Sequence, residues 1–332
     1  MLWQLSRRGW SPTLAALAAL AALGAACSVS HVGLNNMPDS SPDAPVDIAP
    51  VVEAGPDLLC GPCDTVSKFV TLPGGRFTGN TLGTSAGASS ANEGTCGGHD
   101  APEAVFKMVL DTKSDLFVTT HGTGFNTVVY LRNGCCGAEV ACNDDADGRN
   151  TSVLSQRGLL PGTYYVYVDG ATAADAGPFT VDIYAMPFSA NPGETCGIPL
   201  PIATGTTPGN TCGFQDNYSP PITCSSGVGA NGLDQVYYFV LDQSTPVTFS
   251  TCDSSCIDTV LYTRNICSEP GSQTECDDDG CTKTGPCQPD GNKVQSNLIT
   301  TLAAGVHYLF LDTLAAASIP CGDFMITATG IP

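Results

Sequence analysis

Along the chain, apolar positions recur with a period of two. Phe125, Thr127, Val129 and Leu131 alternate with Asn126, Val128 and Tyr130, the signature of a half-buried β-strand. Tyr164-Tyr165-Val166-Tyr167-Val168 is aromatic and β-branched and follows a Pro161-Gly162 turn, which predicts another strand. Beyond the N-terminal region no window sustains a period of 3.6. The stretch FNTVVYLRNGC, Phe125 to Cys135, is closed by CNDD at Cys142 to Asp145. It returns as IDTVLYTRNIC, Ile257 to Cys267, closed by CDDD at Cys276 to Asp279. Two copies of one unit make a tandem repeat.

The match extends both ways. VFKMVLDTKSDLFVTT (Val105 to Thr120) lies over VYYFVLDQSTPVTFST (Val236 to Thr251) without a gap, and LLPGTYYVYVDG (Leu159 to Gly170) over LAAGVHYLFLDT (Leu302 to Thr313). Each copy reads strand, turn, strand, loop, strand, long loop, strand. Both units are expected to be all-β, spanning 60–186 and 194–332, with a Pro/Gly-bearing linker at 187–193.

The N-terminal region has its own logic. Residues 1–26 carry Arg7 and Arg8 and then the apolar run TLAALAALAALGAA, ending at Cys27. A short basic segment, an apolar core and small residues before a cut describe a secretory signal peptide. Cys27, directly after Leu23-Gly24-Ala25-Ala26, resembles the lipobox cysteine of bacterial lipoproteins, with the leucine four residues before the cysteine instead of the usual three. That resemblance implies lipidation of Cys27 and, from Ser28, an outer-membrane destination facing the periplasm or the cell exterior. Residues 27–59, rich in Pro, Asp, Ser and Ala, cannot bury enough apolar surface to fold and are expected to form a flexible tether.

Cysteine usage supports export. Seventeen cysteines are odd, but without Cys27 six remain before residue 190 and ten after it. Even numbers in both units suit a disulfide framework in an oxidising compartment. The nearest pairings are Cys135 or Cys136 with Cys142, Cys267 with Cys276, Cys252 with Cys256, Cys281 with Cys287, and Cys196 with Cys224. Removing residues 1–26 leaves 10 basic against 32 acidic residues, a net charge of −22. Such a surface repels nucleic acid and anionic lipid, leaving the lipid anchor as the expected membrane contact.

The repeated blocks VFKMVL/VYYFVL, NTVVYLRNGC…CNDD/DTVLYTRNIC…CDDD and PGTYYVYVDG/AGVHYLFLDT resemble the bacterial pre-peptidase C-terminal domain. The resemblance covers about 65–186 and 194–331. It implies two tandem jelly-roll-like antiparallel β-sandwich domains that aid binding or secretion without catalysis of their own. No peptidase domain accompanies them in this sequence.

Two stretches mimic catalytic signatures and a third mimics a calcium loop. Cys60-Gly61-Pro62-Cys63 spells a redox dithiol, but it lies between a tether and a β-unit, without the βαβ context that lowers a thiol pKa. Gly83-Thr84-Ser85-Ala86-Gly87 fits G-x-S-x-G, but no helix follows to form a nucleophile elbow. Asn143, Asp145, Asp147 and Gly148 fit half an EF-hand loop, but Leu154 stands where the closing Glu belongs. His99 and His121 fall in expected loops. His307 takes the strand position of Tyr164, which marks it as a packing residue.

The acidic positions are the constellation with chemical content. Asn126, Asp144, Asp145 and Asp169 align with Asp258, Asp278, Asp279 and Asp312. Folded together at one end of each sandwich, they would offer calcium the oxygen ligands it prefers; otherwise they form turns through their own backbone. Calcium is the one cofactor this pattern suggests. The resulting reading is a lipid-anchored, extracytoplasmic, non-catalytic binding or structural protein at the bacterial cell surface, with an extracellular protein or polysaccharide as partner. A calcium-dependent adhesion or glycan-binding module is the alternative. A hydrolase is disfavoured, since no nucleophile–base pair sits in a suitable frame.

Overall fold

The computed structural model describes residues 66–82, 92–135, 137–220, 224, 232–252, 257–281, 295–314 and 321–332. Cys27, the Cys60–Cys63 dithiol, residues 83–87, Cys136, Cys256 and Cys287 lie outside them. Among the described residues there is no α-helix, and so no helix long and apolar enough to cross a membrane.

The chain is all-β, and its repeat is structural as well as sequential. The first copy contributes β1 (Lys68–Val70), β2 (Gly74–Asn80), β3 (Ala104–Leu110), β4 (Ser114–His121), β5 (Thr127–Asn133), β6 (Glu139–Asp144), β7 (Val153–Leu159), β8 (Gly162–Gly170) and β9 (Pro178–Pro187). The second contributes β10 (Leu200–Pro201), β11 (Gly205–Asn210), β12 (Gln235–Leu241), β13 (Thr245–Ser250), β14 (Thr259–Arg264), β15 (Gln273–Asp278), β16 (Asn297–Leu302), β17 (Gly305–Thr313) and β18 (Asp323–Thr329). Each copy builds a five-stranded sheet, β1-β3-β8-β5-β6 or β10-β12-β17-β14-β15, and a four-stranded one, β2-β9-β4-β7 or β11-β18-β13-β16. The pairings are antiparallel except β1–β3 and β10–β12, which are parallel.

In each copy the two sheets close on one apolar core, as sandwich packing requires. Phe106, Val129, Leu131 and Val166 from the five-stranded sheet meet Leu116, Val118, Val181 and Ile183 from the four-stranded one. Phe239, Leu261, Leu309 and Leu311 meet Val247, Phe249, Phe324 and Ile326 in the second copy.

The five-stranded sheets are buried on their outer faces too, which corrects the half-buried expectation for β5. Residues Thr127 to Leu131 are all buried, because Val128 and Tyr130 form a second apolar layer with Val105, Tyr165 and Tyr167. In the first sandwich the segment around Gly94 to Ala101 covers this layer. A Cβ on Gly94 would stand 2.8 Å from the Tyr130 ring and 2.7 Å from Cys142 Sγ, so only glycine lets the cover lie flat. In the second sandwich the outer layer, with Tyr262, Tyr308 and Phe310, packs against Phe117 and Tyr184 of the first sandwich's four-stranded sheet. Phe117 meets Tyr238 at 4.8 Å between centroids and Tyr184 meets Tyr308 edge-on at 5.9 Å. Through these rings the sandwiches form one compact unit.

The disulfides differ from the expected loop staples. Cys142 pairs with Cys96, Cys276 with Cys224, Cys267 with Cys196, and Cys252 with Cys281; Cys212 pairs with Cys321. The reason is strand register. Cys135 and Cys267 lie in the turns beyond β5 and β14, whereas Cys142 lies opposite Tyr130 and Cys276 opposite Tyr262, within the outer apolar layers. Their sulfurs project from the outer face and tie down the covering segments instead.

Candidate functional site

The acidic loop is built by the ends of β14 and β15. Asp278 ends β15 opposite Val260; Asp258 precedes β14 and falls, by alternation, on the same face as Val260. Asp279 turns the chain with φ of 65°, a left-handed conformation that Asp tolerates better than most residues. One carboxylate oxygen from each of Asp258, Asp278 and Asp279 lies within 4.8 Å of the others. Asp258 Oδ1 and Asp278 Oδ1 are buried with no hydrogen-bond partner. Burial, then the charges of Asp278 and Asp279, pushes Asp258 up to about 7. Burial, then Asp279 and Asp277, pushes Asp278 up to about 6. The neighbouring Asp277 is occupied, its Oδ1 accepting from the Gly280 and Asn297 amides at 3.1 and 2.6 Å.

The first sandwich repeats the geometry with one charge fewer. Asp144 lies opposite Val128, and Asp145 is left-handed with φ of 55°. Asn126 Oδ1 and Asp144 Oδ1 are again buried and unpartnered. Burial, then Asp145, raises the pKa of Asp144. Asn143 accepts from the Val153 amide at 2.7 Å, so that side chain serves the hairpin and not an EF-hand.

Asp169 and Asp312 do not join these clusters. Val128 separates Asp144 from Asp169 across the sheet, and Val260 separates Asp278 from Asp312. Both carboxyls are fully buried beneath the covering segments, each beside a second acid that sequence reasoning missed. Burial, then Glu103, pushes Asp169 up to about 8, and burial pushes Glu103 up to about 7. Burial, then Asp234, raises Asp312, and burial raises Asp234. Glu103 and Asp234 stand at equivalent positions, two residues before Val105 and Val236, which is the signal that could have found them.

Of the three histidines among the described residues, His99 is exposed with Nδ1 3.2 Å from Glu93 Oε2, and His121 and His307 are buried. His307 Nε2 donates to Ala303 O at 2.8 Å, and Tyr164 donates from its hydroxyl to Leu160 O at 3.0 Å. Each bonds the carbonyl four residues back, so the repeat conserves the bond while changing the residue. His121 is the buried end of β4, not a loop residue. It approaches Asp182 at 3.3 Å, which Arg76 also engages at 2.7 and 2.9 Å.

No protein-family model and no curated protein matches the chain. Among solved structures it is similar to the pre-peptidase C-terminal domain of a collagenase from Bacillus anthracis, at 12% identity and a TM-score of 0.25, covering 35% of this chain and 91% of that one. A protein of Eubacterium rectale described as secreted follows at 11% identity and a TM-score of 0.24, covering 77% and 74%. The tandem CBM22-1-CBM22-2 domain of Xyn10C from Paenibacillus barcinonensis has 8% identity and a TM-score of 0.19, covering 72% and 85%. At scores this low the architecture rests on the chain's own strands and cores.

Proposed function

We propose that the chain is an exported, non-catalytic binding or structural protein, anchored to the outer membrane through Cys27, whose second sandwich holds calcium between Asp258, Asp278 and Asp279. The observation that carries the calcium reading is the approach of three carboxylates to within 4.8 Å of one another with two of their oxygens buried and unpartnered. Burial first, and then the repulsion among these carboxylates, holds the protons of Asp258 and Asp278 toward neutral pH. A divalent cation relieves that repulsion. Calcium accepts six to eight oxygens in flexible geometry, which a loop of carboxylates completed by carbonyls or water supplies; magnesium asks for a stricter octahedron. Asn126 in place of Asp258 makes the first sandwich the weaker site.

Export is supported by the N-terminal region and by five disulfides among the described residues, each closed within one sandwich. The net charge of −20, or −22 once residues 1–26 are removed, argues against nucleic acid as a partner and suits an extracellular protein or polysaccharide. Calorimetric titration of the oxidised protein with calcium, with magnesium as control, tests the metal site. Heat that vanishes in Asp278→Asn plus Asp279→Asn supports it; no heat and no change in melting temperature would reduce these aspartates to turn formers.

A further inference from the structure

Two clefts open where the sandwiches meet. One, about 410 Å³, lies between the turns after β4 and before β7 on one side and the ends of β12 and β17 on the other. The second, about 570 Å³, continues toward Ile202 and Tyr238. Arg149 and Val240 line both, so the clefts are two ends of one groove. Each volume falls in the range of about 300–1,000 Å³ typical of small-molecule sites, which gather at domain boundaries.

The groove's polar groups are loosely held. Arg149 donates from Nη1 to Val240 O at 3.3 Å, and its Nε lies 3.3 Å from Asp242 Oδ2. Both distances are long for hydrogen bonds. The Asp242 side chain is 67% exposed, so solvent screens its hold on Arg149. Thr151 Oγ1 is buried in the wall without a hydrogen-bond partner. His121 spends Nε2 on Asp182 and turns Nδ1 toward Gly305, 3.9 Å from where a Cβ would stand. On a chain of net charge −20 this groove is built around a guanidinium, that of Arg149.

A guanidinium fork fits a carboxylate in two parallel hydrogen bonds. Asn150, Thr151 and His121 line the same cleft as the guanidinium, and Tyr238, packed on Phe117 at 4.8 Å, lines the other end with Ile202 and Val240, so polar groups at one end face an apolar wall at the other, as a sugar with hydroxyls and a C–H face requires. We infer that the groove between the sandwiches binds an acidic saccharide, with Arg149 exchanging Asp242 for the ligand's carboxylate. The inference rests on the reading of the chain as a binding protein, but not on calcium.

The test is calorimetric titration of the oxidised protein in EDTA with trigalacturonate, neutral galactotriose and triglycine. Working in EDTA keeps a failure of the calcium site separate from a failure here. Trigalacturonate should bind, with galactotriose and triglycine at least about tenfold weaker, as expected on losing charge-assisted hydrogen bonds or hydroxyl partners. Arg149→Gln should weaken trigalacturonate by about tenfold or more, whereas Asp242→Asn should strengthen it by removing the internal competitor. Opposite signs from the two halves of one ion pair cannot come from a structural role. Asp242 is exposed, so that variant folds and is the most permissive one. No heat with Asp242→Asn, binding of galactotriose or triglycine equal to that of trigalacturonate, or weaker binding by Asp242→Asn would each overturn the assignment.

Discussion

The Tyr308 hydroxyl donates to Asp182 Oδ2 at 2.9 Å, joining residues 126 positions apart in two different sandwiches. Asp182 is fully buried and also takes Arg76 and His121, while Arg76 reaches on to Asn265 O of the second sandwich. The seam is thus a charged cluster set among aromatic rings, and removing one member strands the others.

Asp182→Asn should therefore destabilise the protein by about 3–5 kcal/mol, the usual cost of breaking a buried ion pair. Tyr308→Phe should cost about 1.5–3 kcal/mol, the usual worth of a hydrogen bond to a charged group, since Asp182 Oδ2 keeps only its bond from Arg76. Scanning calorimetry of Asp182→Asn should resolve two transitions, one per sandwich, where the parent shows one. Burial alone would raise the Asp182 pKa, but the bonds from Arg76 and His121 outweigh it and hold the group below its ordinary value. Its contribution is then present above the unfolded pKa of about 3.9 and is lost as pH falls through the lower folded value. Stability measured below about pH 4 should fall more steeply in the parent than in Asp182→Asn.

Non-reducing peptide mapping should recover Cys96 linked to Cys142 and Cys224 linked to Cys276. Cys142→Ser should destabilise the first sandwich, and Cys276→Ser the second, by about 2–5 kcal/mol, with new protease sensitivity in the covering segments. A Cys135–Cys142 or Cys267–Cys276 peptide would contradict the strand register.

For Asp258 the pH dependence has the opposite sign. Its folded pKa is raised to about 7, so between about 4 and 7 the folded state holds a proton that the unfolded state has lost. Stability from this group falls as pH rises through that window. Asp258→Asn should flatten the slope in EDTA and raise the melting temperature at pH 8, while calcium should flatten it in the parent. An unchanged profile in the variant would remove Asp258 from the cluster's electrostatics.

Cys27→Ala should move the protein from the membrane fraction to the soluble exported fraction, read by fractionation and immunoblot. Membrane retention in the variant would rule out the lipid anchor.

Much of the architecture was legible because a repeat states it twice. The strands around Val105, Phe125 and Tyr164 could be placed from alternation, and their second copies confirmed the reading at Val236, Ile257 and His307. What misled was the assumption of one wet face. Val128 and Tyr130 are apolar at positions that alternation assigns to solvent, and this was the available sign of a second buried layer. The disulfides depart from sequence neighbours for the same reason: Cys142 and Cys276 point into that layer and meet Cys96 and Cys224 of the chain that covers it. Asp258, Asp278 and Asp279 were found, but Asp312 was grouped with them although one strand stands between.

The sequence by itself determined the secondary-structure type, the duplication and the residues that could carry charge chemistry, since these depend on local period and residue type. Only the tertiary structure decided which acids converge, which cysteines pair, and that the sandwiches share a seam with Asp182 and Tyr308 at its centre. Those outcomes depend on strand register and on which face of one sheet lies against another. A shift of one residue in register reverses every side chain, and no local pattern encodes the partner across the gap.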